Sequence, residues 1–350
     1  MNSTKKTYPM LGWLTFLVIA VVGLAYVKWL PYYQRAFVAA SQHAIGSSIL
    51  MGKASAAPAP SIDAALGYAW AYGNAIWKAM VLGLLLGSAV QALLPPQWVA
   101  RALGRTSFGS VAAGGLLAIP GMMCTCCAAP VVAGLRMRRA SPGAAIAFWL
   151  GNSVLNPATL VFMGFVLGWN WSALRLVLGL LLVFGLGYAV NRFATSEEAQ
   201  AAGMHLSEVV EESVADSRFV RWMRILARMA VRLIPEYVVL VLLLGAVRGW
   251  LFPQIGPDIG NDLVWIAAFA LAGTLFVIPT AGEVPIVQAM LNLGVGVGPA
   301  AALLMTLAPI SVPSVAMLVR SFRPRVLAGV VGAVLATGVV GGLLAIGLGF

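Results

Sequence analysis

Long apolar runs, separated by short polar or Gly/Pro-bearing breaks, make up most of the chain. Seven runs are long enough to cross a bilayer as helices: 10–30, 66–94, 142–167, 172–192, 229–250, 298–319 and 326–349. Two more apolar regions are interrupted. Region 107–135 is broken by "IPGMMCTCCAAP" at 119–130, and region 262–296 by "IPTAGEVP" at 278–285. The alternating period of a membrane β-strand is absent. The pattern predicts an all-α polytopic membrane protein with about seven to nine transmembrane helices and two broken or re-entrant hairpins.

Polar stretches divide the chain. Residues 51–63, "MGKASAAPAPSID", read as an exposed linker. Residues 193–228 place Glu197, Glu198, Glu208, Glu211, Glu212 and Asp216 before Arg218, Arg221, Arg224 and Arg228. That order suits a cytoplasmic surface helix leading to the membrane. The predicted units are a signal-anchor helix with linker (1–63), a first membrane repeat (64–192), the polar linker (193–228) and a second repeat (229–350). Lys5 and Lys6 before the apolar stretch Leu11–Val27 resemble a signal peptide, but no small-residue cleavage site follows closely. The segment reads as an uncleaved anchor.

Matched prolines support the repeat. Pro130 pairs with Pro285, Pro157 with Pro313, and Ile119-Pro120 with Ile278-Pro279. Arginines set the sense of the two copies. If 107–135 spans the bilayer, Arg136, Arg138 and Arg139 fall outside, against the positive-inside tendency. If both interrupted regions are hairpins entering from opposite faces, these arginines, the 218–232 cluster and Arg320, Arg323 and Arg325 all fall inside. The outer loops "GWNW" and "FPQIGPDIGND" then carry no Lys or Arg. Each half has three spans, so the halves are inverted, an architecture of secondary transporters.

Composition agrees with this class. The chain is 61% hydrophobic and 9% charged, with mean hydropathy +0.93, whereas a soluble domain carries about 25% charge. A net charge of +11 would suggest nucleic acid in a soluble protein. Here the arginines flank apolar runs, so the predicted partners are the lipid bilayer and a small-molecule or metalloid solute, with no nucleic acid; self-association into a homo-oligomer is left open. No Walker A pattern occurs, and no cofactor is implied.

Candidate chemistry lies at the hairpin tips, because backbone that leaves the helix inside a bilayer survives only when buried in protein or lining a wet cavity. Cys124, Cys126 and Cys127 give C-x-C and C-x-x-C spacings at the first break. Thiolates favour soft ions and thiophilic species, so these residues are candidates to hold a soft ion as substrate. At the second tip Glu283 is an intramembrane carboxylate, a candidate to carry a coupling proton. Beyond the hairpins, Asn152, Asn156 and Pro157 mark a polar break in one helix, and Pro309, Ser311, Pro313 and Ser314 mark another. Asn152, Asn156 and Ser311 are candidates to orient a solute or to satisfy carbonyls freed by the prolines.

The order Pro, C-x-C, Pro, a basic stretch and "SPGAAIAFWL…LNPATL", followed by "IPTAGEVPIVQAMLNLGVGVGPAAALL", resembles the predicted-permease family that includes organoarsenical-efflux permeases. The resemblance covers roughly residues 70–345. It implies a polytopic inner-membrane permease, not an enzyme, with an N-terminus in the cytoplasm on the charge argument above. By position Cys124, Cys126, Asn156 and Pro157 match the first signature, and Glu283 with Pro285 the second. Cys127 stands where the family pattern has Gly, and Ser153 where it has Pro. The function this implies is efflux of a small thiophilic or anionic solute such as a trivalent organoarsenical, and the intramembrane Glu283 is the candidate to couple it to protons. The alternatives are a membrane thiol oxidoreductase using Cys124 and Cys127, and a channel or scaffold component of an export complex.

Overall fold

The computed structural model of the protein describes residues 4–50, 58–193, 218–252 and 256–350. Every regular element among them is helical. Seven helical stretches are long and apolar enough to cross a membrane, or eight if the sharply bent pair Pro96–Leu103 and Phe108–Gly121 is one span.

The spans follow the predicted runs with three changes. The first is longer than residues 10–30. α1 (Thr4–Leu24) passes through a π-helical turn, Ala25–Trp29, into α2 (Leu30–Gln42). α3 (Ile62–Leu93) starts where Ser61 Oγ accepts from Ala64 N, while residues 51–57 of the predicted linker lie outside the described residues. α11 (Arg218–Leu251) is already helical at Arg218, eleven residues before the predicted 229. The basic end of the predicted polar linker is therefore helix; its acidic run and His205 lie outside the described residues.

Proline divides two of the predicted spans. The first becomes α7 (Pro142–Val154) and α8 (Pro157–Val166), and the second α14 (Val297–Leu307) and α15 (Val312–Leu318). Pro157 and Pro313 each sit in the first turn of the second half, where a missing N–H costs nothing. α9 (Trp169–Leu180) continues through a second π turn into α10 (Leu186–Phe193), and α16 (Pro324–Gly347) closes the chain.

Between these spans lie the hairpins. α4 (Pro96–Leu103) leads to the first, made of α5 (Phe108–Ala118) and α6 (Thr125–Met137); α12 (Leu263–Leu275) and α13 (Glu283–Asn292) make the second. Arms of 10 to 13 residues reach only about 15–20 Å, roughly half of a hydrocarbon core. Both segments return to where they entered. Ser141 N donates to Leu103 O at 2.7 Å, and Gly296 N donates to Ile259 O at 2.8 Å. Each hydrogen bond ties the two ends of a hairpin together, so both are re-entrant.

The two mouths are at opposite ends of the molecule. Arg136, at the first mouth, donates to Ser321 O and stacks on Phe322, just before α16 begins. At the other end of α16, Ile346 packs against Gly298, beside the second mouth. A 24-residue helix separates these contacts by about 36 Å. Packing repeats the same inversion: α5 lies on α7 as α12 lies on α14, and α6 reaches α15 as α13 reaches α8. Arg138 lies within electrostatic reach of Arg221, so the 218–228 arginines share the first mouth's end. Burial and then Arg221 lower the Arg138 guanidinium to about 10, which leaves it charged at neutral pH.

Close packing sets the position of the thiols. α3 carries Gly83 and Gly87, one turn apart, in a small-xxx-small spacing that lets helices approach closely. A Cβ at Gly83 would collide with the Cys127 carbonyl, and one at Gly87 would lie 2.5 Å from the Pro130 carbonyl. Gly83→Leu is expected to force α6 away and destabilise the protein by at least about 1–3 kcal/mol. A lower thermal midpoint in detergent, with Gly73→Leu on open surface as control, checks this.

Candidate functional site

Both hairpin tips are made by the same local sequence logic. After Ile119-Pro120-Gly121 the backbone turns left-handed at Met122 (φ 47°), and after Ile278-Pro279-Thr280 it does so at Ala281 (φ 66°). Neither residue is glycine, so each turn carries about 1–3 kcal/mol of strain, a feature that clusters at ligand clamps and switches. Beyond each turn a helix starts, α6 after Cys124 and α13 at Glu283. Both therefore direct the positive ends of their dipoles toward the interior.

The tips meet. One pocket is lined by Cys124, Thr125 and Ser153 from the first repeat and by Thr280, Ala281, Glu283 and Ser311 from the second, among others. Its free volume of about 10 Å³ holds about one water molecule, so a larger solute requires the tips to part.

The three cysteines do not act as one cluster. Cys124 and Cys127 are paired, Sγ to Sγ 3.0 Å, one turn apart at the start of α6. Cys126 points elsewhere and lies 3.5 Å from Ser311 Oγ. Among the described residues no group of three His, Cys, Asp or Glu is placed to hold a metal ion. Of the three thiols expected to hold one soft ion, the structure brings two together and sets the third apart: the helical turn puts positions 124 and 127 on one face and 126 on another. Cys126 belongs to a buried polar file. Ser311 beside it caps α15 with Ser314, and Tyr72 and Tyr237 hydrogen-bond each other at 2.5 Å nearby.

The asparagines fall at the proline break. Asn156 caps α8, its Oδ1 accepting from Ala158 N and Thr159 N, while Nδ2 has no partner. Asn152 Nδ2 donates to Phe148 O, and its Oδ1 is buried without a partner against Gly121 of the first tip. Pro157 itself lacks the N–H that Ser153 O would accept in a continuous helix, and the Asn156 cap takes the Ala158 N–H from Val154 O. The donor that repairs both is Arg175 of α9. Its Nη2 reaches Ser153 O at 3.0 Å, its Nε Val154 O at 3.3 Å, and its Nη1 Leu304 O of the second repeat at 3.2 Å.

Arg175 also holds Glu283. The pair measures 3.0 Å, with side chains 1% and 2% exposed. Glu283, expected as an intramembrane carboxylate at the tip, is in a buried salt bridge across the two repeats. Sequence reasoning passed over Arg175, and its signal was a single arginine inside an apolar span.

Lys28 is the second omission. It lies in the π turn of the first span, is 4% exposed, and donates to Thr280 Oγ1 at 3.0 Å and Tyr32 Oη at 3.1 Å. Its neighbour Trp29 donates Nε1–H to Pro120 O at 2.8 Å. Adjacent residues of one helix thus touch both tips. By contrast, Lys78 and Glu236 play surface parts: Lys78 stacks over Tyr26 and Trp77, and Glu236 meets Arg320 at 3.1 Å in an exposed pair.

Two re-entrant hairpins, inverted and meeting at a polar break, are the frame of a membrane carrier. Residues 71–346 match a family described as "Predicted permease" (ArsP_1). The chain belongs to that permease family. The permease is 47% identical over 346 residues to UPF0718 protein YraQ of Escherichia coli strain K12, covering 98% of each chain. It is 22% identical over 306 residues to UPF0718 protein MJ0584 of Methanocaldococcus jannaschii, covering 68% of this chain and 82% of that one. No solved structure matches it. Helix Thr4–Gln42, with Lys28 and Trp29, precedes the family match in this permease.

Proposed function

We propose that this permease exports a small thiophilic or anionic solute, of which a trivalent organoarsenical is one example, by opening its two hairpin tips in turn toward opposite faces of the inner membrane. The observation that carries the reading is the buried pocket in which Cys124 of one tip faces Thr280 and Glu283 of the other. The paired thiols supply soft donors. The helix N-termini of α6 and α13 add positive potential. Asn152 and Asn156 keep one polar atom each for a solute. The arginines at the first mouth support a cytoplasmic reading for that end, and for the start of α1 with it, by the positive-inside tendency. Proton coupling through Glu283 would require its pair with Arg175 to open, and its mark is a pH-gradient dependence that Glu283→Gln removes.

The test is growth of a sensitive host on arsenite, methylated arsenicals, copper and sulfur oxyanions. The arms are wild type, empty vector and the single Cys→Ser variants, each at matched membrane abundance. Wild type is expected to protect against at least one agent. Cys124→Ser and Cys127→Ser should lose that protection, and Cys126→Ser should keep most of it. Equal growth of wild type and empty vector on every agent would remove this solute class. A second reading, a thiol oxidoreductase, draws on the 3.0 Å Cys124–Cys127 approach. A disulfide that cycles with electron donors, in the absence of solute movement, would favour it.

A further inference from the structure

Among the described residues, the buried amine of Lys28 hydrogen-bonds only to hydroxyls and lies over the Tyr32 ring. Among the described residues no carboxylate pairs with it, and Glu283, the acid that lines the tip pocket, is held by Arg175. An ammonium taken out of water needs a nearby negative charge to offset the loss of hydration. Thr280, its hydrogen-bond partner, lines the pocket together with Cys124, and both Cys124 and Cys127 lie within electrostatic reach of the amine. A cation and the N-termini of two helices lie beside a pair of soft sulfur donors.

Local structure shows how Lys28 comes to be there. A π turn inserts an extra residue into a helical turn and re-aims the side chains around it, and such turns are frequent at functional sites. The one at Ala25–Trp29 turns Lys28 toward the second tip and Trp29 toward the first. The helix lies outside the segment that matches the permease family, yet it makes contacts that the matched segment does not make for itself.

We propose that Lys28 makes the thiol site selective for solutes that join a soft, thiol-seeking atom to a negative charge, and that the N-terminal helix is thereby part of the solute site. Negatively charged sulfur or metalloid species fit this class, and neutral or cationic thiophiles fit it poorly. The inference rests on the reading that the solute meets Cys124.

The experiment uses the full chain in membrane vesicles with Cys124 as the sole thiol (Cys126→Ser, Cys127→Ser). The probes are the anionic reagent 2-sulfonatoethyl methanethiosulfonate and the neutral methyl methanethiosulfonate. The readout is the ratio of their modification rates, which is internal to each variant and does not depend on how much protein is made. Lys28→Gln is expected to lower the anionic-to-neutral ratio about tenfold, as removal of a unit charge at close range in an intermediate dielectric predicts. Lys28→Arg should keep the ratio. An unchanged ratio in Lys28→Gln, with Cys124 still modified, overturns the selectivity role and leaves the proposed function standing. Failure of both reagents to modify Cys124 in any variant overturns both, because no solute could then reach the thiol.

Discussion

Arg175→Met is expected to cost the permease about 3–5 kcal/mol, enough to remove most folded protein from the membrane. The substitution leaves Glu283 as an uncompensated buried charge. It also returns the Ser153 and Val154 carbonyls, freed by Pro157 and the Asn156 cap, to an unsatisfied state. Glu283→Met should cost a comparable amount, because a guanidinium 1% exposed then loses its counter-charge. The double variant is the informative one. With both charges replaced by apolar side chains the desolvation penalty disappears, so Arg175→Met/Glu283→Met should recover much of the loss. Thermal midpoints of purified protein in detergent give all three values. A double variant as unstable as the sum of the singles would show that the pair does not join the repeats energetically. Glu283→Gln tests a different matter, since it keeps a hydrogen-bond acceptor for Arg175 while removing the titrating group.

Labelling of single engineered cysteines should divide without overlap between the two faces. The background is a chain with Cys124, Cys126 and Cys127 replaced by Ser. Cysteines at Arg138 and Arg325 are expected to react with an impermeant maleimide from one face, and one at Asp258 only from the other. The reason is geometric. Each hairpin is closed at its mouth by a backbone hydrogen bond, and α16 runs from one mouth to the other. Reaction of Arg138 and Asp258 positions from the same face would sink the inverted arrangement, and the pocket between the tips with it.

The sequence made much of this site legible. Ile119-Pro120 and Ile278-Pro279 marked both tips, and Pro157 and Pro313 marked both broken spans, because proline and glycine act on the backbone of their own turn. The arginines favoured hairpins over spans for the same local reason, since charge at a helix end reports the face it occupies. Other features were hidden. Lys28 was passed over, because it is one lysine near the end of the predicted anchor helix 10–30 and the π turn that aims it inward has no reliable sequence mark. Arg175 lay in an apolar run with nothing beside it in sequence to suggest Glu283, 108 positions further on. The three cysteines looked like a single group because spacing was all that was visible, whereas the helix that starts after Cys124 sends Cys126 away from the other two.

Hydropathy, proline positions and charge asymmetry by themselves determined the membrane class, the approximate spans and the places where two apolar segments break, since each depends on a residue and its immediate neighbours in lipid or water; that both broken segments re-enter is decided by the hydrogen bonds at their mouths. Only the tertiary structure decided who satisfies the polar groups those breaks release. Trp29 serves Pro120, Tyr68 serves Val277, and Arg175 serves Ser153, Val154 and Glu283. A buried carbonyl or charge accepts any donor that packing brings within about 3 Å, and that choice is made by how helices distant in sequence come to lie together.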